Sequence, residues 1–329
     1  MNKNKKAKKN IVKKELTNQK QTSPLHTREG RGGGSLIDAH SHLWLRQDTE
    51  VDGFAIRTKE GNGSRSDFFG EERQMLPPFM IDGVNSAEVF LSNMDYAQVG
   101  AAVVVQEIID GNQNAYLTEV QAKYPERFFC MGMAWTLEDA QAVYKAGLRG
   151  IAFPGHRMKE SLQTLMPIFK FMEEKGMVLS MCLGEDLRQI AEMAEVIQEC
   201  PRLKVAIGHF GMVTTPAFES QVKLALEGQN VMIESGGITW LFNSEFYPFP
   251  SAIRSIRQAA DWVGMDRLMW GSDYPRTITA ITYRMSYDFI TKSPELTDAQ
   301  KSAFLGENAK RFYGFQKLPD LPYIKNMSE

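Results

Sequence analysis

The sequence predicts an α/β fold, a (β/α)8 TIM barrel with a long insertion after its first strand. Three observations carry that expectation: eight short apolar runs separated by amphipathic stretches, strands that are apolar throughout rather than alternating, and polar residues gathered where those strands end. A strand apolar on both sides must be covered on both faces, as in parallel sheets flanked by helices. Eight such units in succession close into a barrel.

In chain order the strand runs are "LIDAHSH" from Leu36, "AAVVVQE" from Ala101, "FFCMGMAW" from Phe128 and "LRGIAF" from Leu148. Then come "MVLSMCL" from Met177, "LKVAIGHF" from Leu203, "NVMIESGG" from Asn230 and "RLMWGSD" from Arg267. Between them lie helical patterns of period 3.6, such as "SAEVFLSNMDYAQVG", which Ser86 can cap, "LTEVQAKYP", "LQTLMPIFKFMEEKG", "DLRQIAEMAEVIQEC" and "SAIRSIRQAADWVG". Residues 43–83 break the rule of short connections. Rich in Gly, Arg, Pro and acids, they read as a long loop shaping a site at the C-terminal end of the first strand.

Composition bounds the class. Hydrophobic residues at 43% and charged residues at 24% describe a globular protein with a sizeable core. No apolar run reaches the roughly 18 residues of a membrane span. Cys130, Cys182 and Cys200 are odd in number and scattered, which suits free thiols in a reducing compartment, so the cytoplasm is expected. The first 34 residues hold ten Lys/Arg against two Asp/Glu and end in "GRGGG". Residues 1–35 are therefore read as a disordered basic tail and Gly-rich linker ahead of a barrel over 36–329. A solvated tail is preferred to a nucleic-acid-binding one. The expected partner is a small-molecule substrate, with a homo-oligomer left open.

Barrel active sites lie at the C-terminal strand ends. There the sequence places His40 and His42, Gln106 and Glu107, His156 and Arg157, His209, Glu234 and Asp273. In a strand, residues i and i+2 share a face, so both histidines of "HSH" are expected to enter the barrel mouth. Paired imidazoles at that spacing bind one metal ion or donate jointly to one oxyanion.

Four segments in this order, "IDAHSHLW", "VAIGHFG", "DRLMWGSDYP" and "LGENAKRFYGF", make the chain resemble the amidohydrolase superfamily, in its amidohydrolase-2 group. The stretch from Met177 to Gly211 is similar to the sugar-lactonase branch, which includes L-rhamnono- and L-fucono-lactonases. The resemblance implies that the first-strand pair is His40 and His42, the sixth-strand histidine His209 and the eighth-strand aspartate Asp273. It departs at the fifth strand, where metal-binding relatives carry histidine and this chain reads "SMCLG". One divalent ion, zinc foremost, is then expected on His40, His42 and Asp273, with Glu107 or Cys182 completing the shell. A metal-independent route stays open beside it.

The expected activity is hydrolysis of a sugar-acid or related lactone, a step in carbohydrate metabolism. Asp273 is the expected general base, with His40, His42 and His209 donating to the oxyanion when no metal is bound. Arg157, His156, Arg276, Tyr274 and Trp44 are the expected substrate-binding residues. Two rivals stand against it: a metal-dependent decarboxylase of an aromatic or unsaturated acid, and a non-catalytic barrel acting as a binding protein.

Overall fold

The computed structural model describes residues 36–323, 325 and 327, so the expected tail and linker lie outside the described residues. Strand β1 (Leu36–Ser41) is followed by β2 (Asp48–Val51), β3 (Phe54–Thr58), β4 (Arg65–Phe68) and β5 (Glu71–Gln74), then by β6 (Val99–Val104), β7 (Phe128–Gly132) and β8 (Gly150–Phe153), and last by β9 (Val178–Met181), β10 (Lys204–Ile207), β11 (Val231–Glu234) and β12 (Leu268–Met269). The eight strands β1 and β6 to β12 pair in parallel in that order. They correspond to the eight apolar runs. The ring closes where Ala39 N–H donates to Trp270 O at 2.8 Å and Asp273 N–H to His40 O at 2.9 Å, beside a parallel bridge between Ser41 and Tyr274.

Alternation along each strand divides the core in two. Ile37, Ala101, Val103, Phe129, Met131, Ala152, Val178, Ala206, Met232 and Met269 fill the barrel interior, while Val104, Cys130, Ile151, Leu179 and Ile207 face the helices. Ser86 caps helix α1 (Ala87–Ala97) by accepting from Val89 N–H. Helices α2 (Asn114–Lys123), α3 (Leu137–Lys145), α4 (Met166–Lys175) and α5 (Leu187–Glu199) follow in the outer layer. The C-terminal residues Phe312, Tyr313 and Phe315 join the interior cluster. Their carbonyls accept from Arg149 (3.4 Å) and Lys204 (2.8 Å), which sit at the start of β8 and β10, so this segment floors the barrel at its N-terminal end.

Residues 43–83 are not a loop. They form a four-stranded antiparallel sheet, β2-β3-β4-β5, with Val51, Ile56 and Met75 packed together with Ile109. Its strands are mostly exposed, so little apolar periodicity marks them. The sheet is tied across the barrel mouth: Lys159 Nζ lies 2.8 Å from Asp52, Gln47 Nε2 donates to Asp110 at 3.0 Å, and the Arg157 guanidinium sits 5.5 Å above the Phe69 ring.

Candidate active and metal site

Strict alternation from Ile37 and Ala39, both in the barrel interior, would send His40 to the opposite side along with Asp38. Asp38 does turn that way. Its carboxylate accepts from Tyr283 Oη at 2.8 Å and Ser272 N–H at 2.8 Å, and burial raises its pKa to about 6 against those bonds. The pairing register with β6 then shifts between Asp38 and Ser41, a bulge that rotates the strand end. His40 and His42 thereby enter the mouth beside His209, Glu107 and Cys182. The His40 ring fits because two neighbours lack side chains: a Cβ on Gly236 or on Gly271 would lie 2.7 Å from His40 atoms.

His40 Nε2 and His42 Nε2 face each other at 3.1 Å, and Asp273 Oδ1 lies 3.0 Å from the latter and 3.7 Å from the former. Behind each imidazole stands a carboxylate. Glu234 Oε1 is 2.7 Å from His40 Nδ1, and Asp110 Oδ2 is 3.3 Å from His42 Nδ1, close enough to attract but not aligned as a full hydrogen bond. Glu234 also accepts from the backbone N–H groups of His209 and Gly236. His209 Nδ1 lies 2.9 Å from Gly236 O. A carbonyl only accepts, so that nitrogen carries the proton and Nε2 presents a lone pair. His209 (φ +50°) and Asp273 (φ +59°) both hold left-handed backbones, a strained conformation that concentrates at functional sites.

The charges are tightly coupled. Burial alone would lower the His40 pKa, but the charge and hydrogen bond of Glu234, with Asp273 and Asp38 beyond, push it up to about 9. Burial and the neighbouring His40 hold His209 below its ordinary value, so it stays neutral. Asp273 lies far below the carboxylate range: burial opposes ionisation, yet the His42 hydrogen bond and the Arg276 charge outweigh it. Glu107 is likewise held low, against burial, by His156, Arg157 and Arg276.

The donor chemistry fits a divalent cation. With a carboxylate beside each Nδ1, both imidazoles can turn an unprotonated Nε2 toward Asp273 Oδ1, and the three ligand atoms lie within 4.8 Å of one another. A cation there would take the place of the His40 proton, and carboxylates behind metal-bound histidines are a recurrent arrangement. Four buried carboxylates, Glu107, Asp110, Glu234 and Asp273, also outnumber the nearby Arg157 and Arg276. Glu107 and Cys182 stand outside this cluster, contrary to expectation. Glu107 is engaged by Arg157 Nε at 3.0 and 3.2 Å. Burial, with the charges of Glu234 and Glu107, pushes the Cys182 thiol well up, so it remains protonated.

Two expected substrate contacts are core instead. Tyr274 is fully buried and stacks on Phe90 with ring centroids 4.0 Å apart. It follows the left-handed Asp273, where the chain turns and the ring packs onto α1. Trp44 is buried against Leu76 and Met80 under the inserted sheet. Arg276 does reach the mouth, where Nη2 lies 2.9 Å from Asp110 and Nη1 3.6 Å from Asp273. Arg157 and His156 flank Glu107, the latter at 3.6 Å. Glu234, expected at the mouth from its place at a strand end, is the carboxylate behind His40, while two contributors lay outside the expected set: Asp110 in a short turn after β6, and Trp240, whose indole N–H donates to Asp273 Oδ2 at 2.8 Å.

The cavity among His40, His42, His209 and Cys182 has a volume of about 10 Å³, room for roughly one water molecule.

This barrel, with its histidine pair, sixth-strand histidine and eighth-strand aspartate, defines the amidohydrolase class. Residues 37–315 match the amidohydrolase-2 family, described as Amidohydrolase, and the chain belongs to it. No curated protein matches the sequence. Among solved structures, a probable 2-pyrone-4,6-dicarboxylic acid hydrolase from Acinetobacter baumannii, with citric acid bound, is similar at 18% identity and TM-score 0.63, over 85% of this chain and 100% of that one. A zinc-bound amidohydrolase from Burkholderia multivorans is similar at 17% and 0.62, over 87% and 100%. A 5-carboxyvanillate decarboxylase from Novosphingobium aromaticivorans, with manganese bound, is similar at 15% and 0.57, over 86% and 97%.

Proposed function

We propose that this chain hydrolyses a lactone, foremost that of a sugar acid, with Asp273 as general base. One observation carries the reading: His40, His42 and Asp273 converge beside a fifth barrel strand that presents Ser180 and Cys182, with no histidine, to the same cavity. Its hydrolase neighbour supports the reaction class, and its decarboxylase neighbour supplies the rival.

The chemistry follows from the atoms at hand. A divalent ion held by His40, His42 and Asp273 would, when bound, polarise the carbonyl and acidify a water. Asp273 Oδ1 takes the proton of the attacking water as a C–O bond forms to the lactone carbonyl carbon. In the metal-free protein His40, protonated at neutral pH, donates from Nε2 to the developing oxyanion. Collapse breaks the ring C–O bond, and the proton on Asp273 passes to the departing alkoxide. His209 takes a different part from the donor expected of it. Its Nε2 lone pair accepts, from a substrate hydroxyl. Arg157 and Arg276 are already paired to Glu107, Asp110 and Asp273, so among the described residues the mouth offers no unengaged arginine for an anionic arm, which favours an uncharged lactone.

The test is a pH-indicator screen of aldono-lactones alongside pyrone and aromatic acids, with carbon dioxide measured in parallel. Proton release on a lactone supports the reading; carbon dioxide from an aromatic acid with no lactone turned over replaces it with the decarboxylase.

A further inference from the structure

A second, larger cavity of about 330 Å³ lies between β2 of the inserted sheet and the segments following β6 and β7. The wall dividing it from the small catalytic cavity is one side chain thick. Gln106 lines the catalytic cavity, and its amide donates to Met131 O at 3.2 Å and to Asn114 Oδ1 at 2.6 Å, the latter on the far side. Phe153 also lines the catalytic cavity and meets the Trp135 ring edge-on, centroids 5.7 Å apart, with Trp135 lining the larger one. The catalytic cavity alone holds no more than a water. Any substrate must extend beyond it, and this is the adjoining space.

The lining specifies the ligand. Trp135, Met133 and Ile108 supply apolar surface, with Trp135 39% exposed although it is a large aromatic. Thr49, Asn112 and Asn114 supply uncharged hydrogen-bonding groups. The two charged members, Glu50 and Asp139, are acids, and among the described residues no lysine or arginine lines the cavity. Asp139 Oδ2 is engaged by the backbone N–H groups of Trp135 and Thr136, which fixes the Trp135 segment in place.

We infer that this cavity binds the distal, uncharged polyhydroxyl arm of the substrate, its C–H face laid on Trp135 and its hydroxyls bonded to Asn112 and Asn114. The Gln106–Asn114 pair is the partition that must swing for the arm and the reacting carbonyl to be held together. The inference rests on the lactone reading for the identity of the reacting group, but not for the cavity's own chemistry. A second carboxylate would meet Glu50 and Asp139 with no cation to receive it, so dicarboxylic acids are disfavoured at this end.

The test uses the full chain and a six-carbon alditol, which carries the arm but no reactive carbonyl, with binding followed by saturation-transfer NMR. Saturable binding is expected, weakened by about tenfold or more in Trp135→Ala, the scale of one lost aromatic contact. Ala142→Phe, at an exposed position on α3 lining the cavity, fills the space without touching the barrel and should abolish binding. Alditol that does not bind the native chain, or binds it and both variants equally, overturns the inference, as does a short dicarboxylate that binds more tightly than the alditol and is displaced by Ala142→Phe. If the alditol behaves as expected and no lactone turns over, the cavity assignment stands and the lactone reading falls. If lactones turn over while alditol binding ignores both substitutions, the cavity assignment falls alone.

Discussion

The Trp240 indole N–H donates to Oδ2 of Asp273 at 2.8 Å, while Oδ1 of the same carboxylate lies 3.0 Å from His42 Nε2. One oxygen is thus fixed by a neutral donor and the other aimed at the histidine pair. Asp273→Asn should lower turnover by about a hundredfold or more, the usual share of general acid–base catalysis, with the fold intact by circular dichroism. Trp240→Phe keeps the carboxylate but removes a donor to its charged form. The acid limb of the pH–rate profile should then move up, and kcat should fall more than KM rises.

Chelator-treated protein should lose stability between pH 6.5 and about 9 because of His40, whose pKa is raised from 6.5 to about 9. A folded-state pKa above the unfolded value gives stability that is full below pH 6.5 and lost as pH rises through 9, amounting to about 3 kcal/mol. Glu234→Gln removes the charge that raises His40. Urea unfolding midpoints measured across that window should be flatter in the variant; an unchanged slope would show that another group titrates there.

Zinc or manganese added to the same chelator-treated protein should raise its melting temperature in a saturable way, with one equivalent bound by elemental analysis. His42→Ala should remove most of that shift, because it deletes one of three converging ligands. A shift that survives in His42→Ala places the ion elsewhere.

Tyr274→Phe should leave lactone turnover within about twofold, since the ring is stacked on Phe90 away from the mouth. Tyr274→Ala should cost about 3–5 kcal/mol of stability by denaturant titration, as expected for a large aromatic removed from a packed core. A rise in KM in Tyr274→Phe with unchanged stability would return this residue to the substrate.

What could be read from the chain alone depended on how local the cause was. Buried parallel strands are apolar on both faces, so β1 and β6 to β12 show themselves as short runs without any tertiary information. The two-residue strand β12 is visible only because "RLMWGSD" extends it with residues that bond to β1. The inserted sheet hid because its strands are four or five residues long and largely solvent-facing, so neither period nor hydropathy distinguishes them from a loop. His40 and His42 were placed on one shared face, but the face itself was decided by a bulge that no residue type announces. Asp110 is brought to His42 by a turn 68 residues further along the chain, and Trp240 reaches Asp273 from a four-residue helix, Ile238–Leu241. Tyr274 lies beyond the end of β12 and after the left-handed Asp273, so strand alternation does not reach it and its burial against Phe90 was not legible.

The inserted sheet leaves and rejoins the barrel at a single point. Trp44 N–H donates to Asn85 O at 3.2 Å and Asn85 N–H to Trp44 O at 2.9 Å, an antiparallel pair that already has the spacing of a hairpin neck. Everything between those two residues is one continuous insertion, and through Gln47 it reaches back to Asp110, the carboxylate beside His42, so the neck is not its sole tie to the site. Covering a barrel mouth in this way divides the site between two parts of the chain. The reacting atoms sit on the barrel strands and the turns after them, while the cover over the mouth is supplied by one insertion.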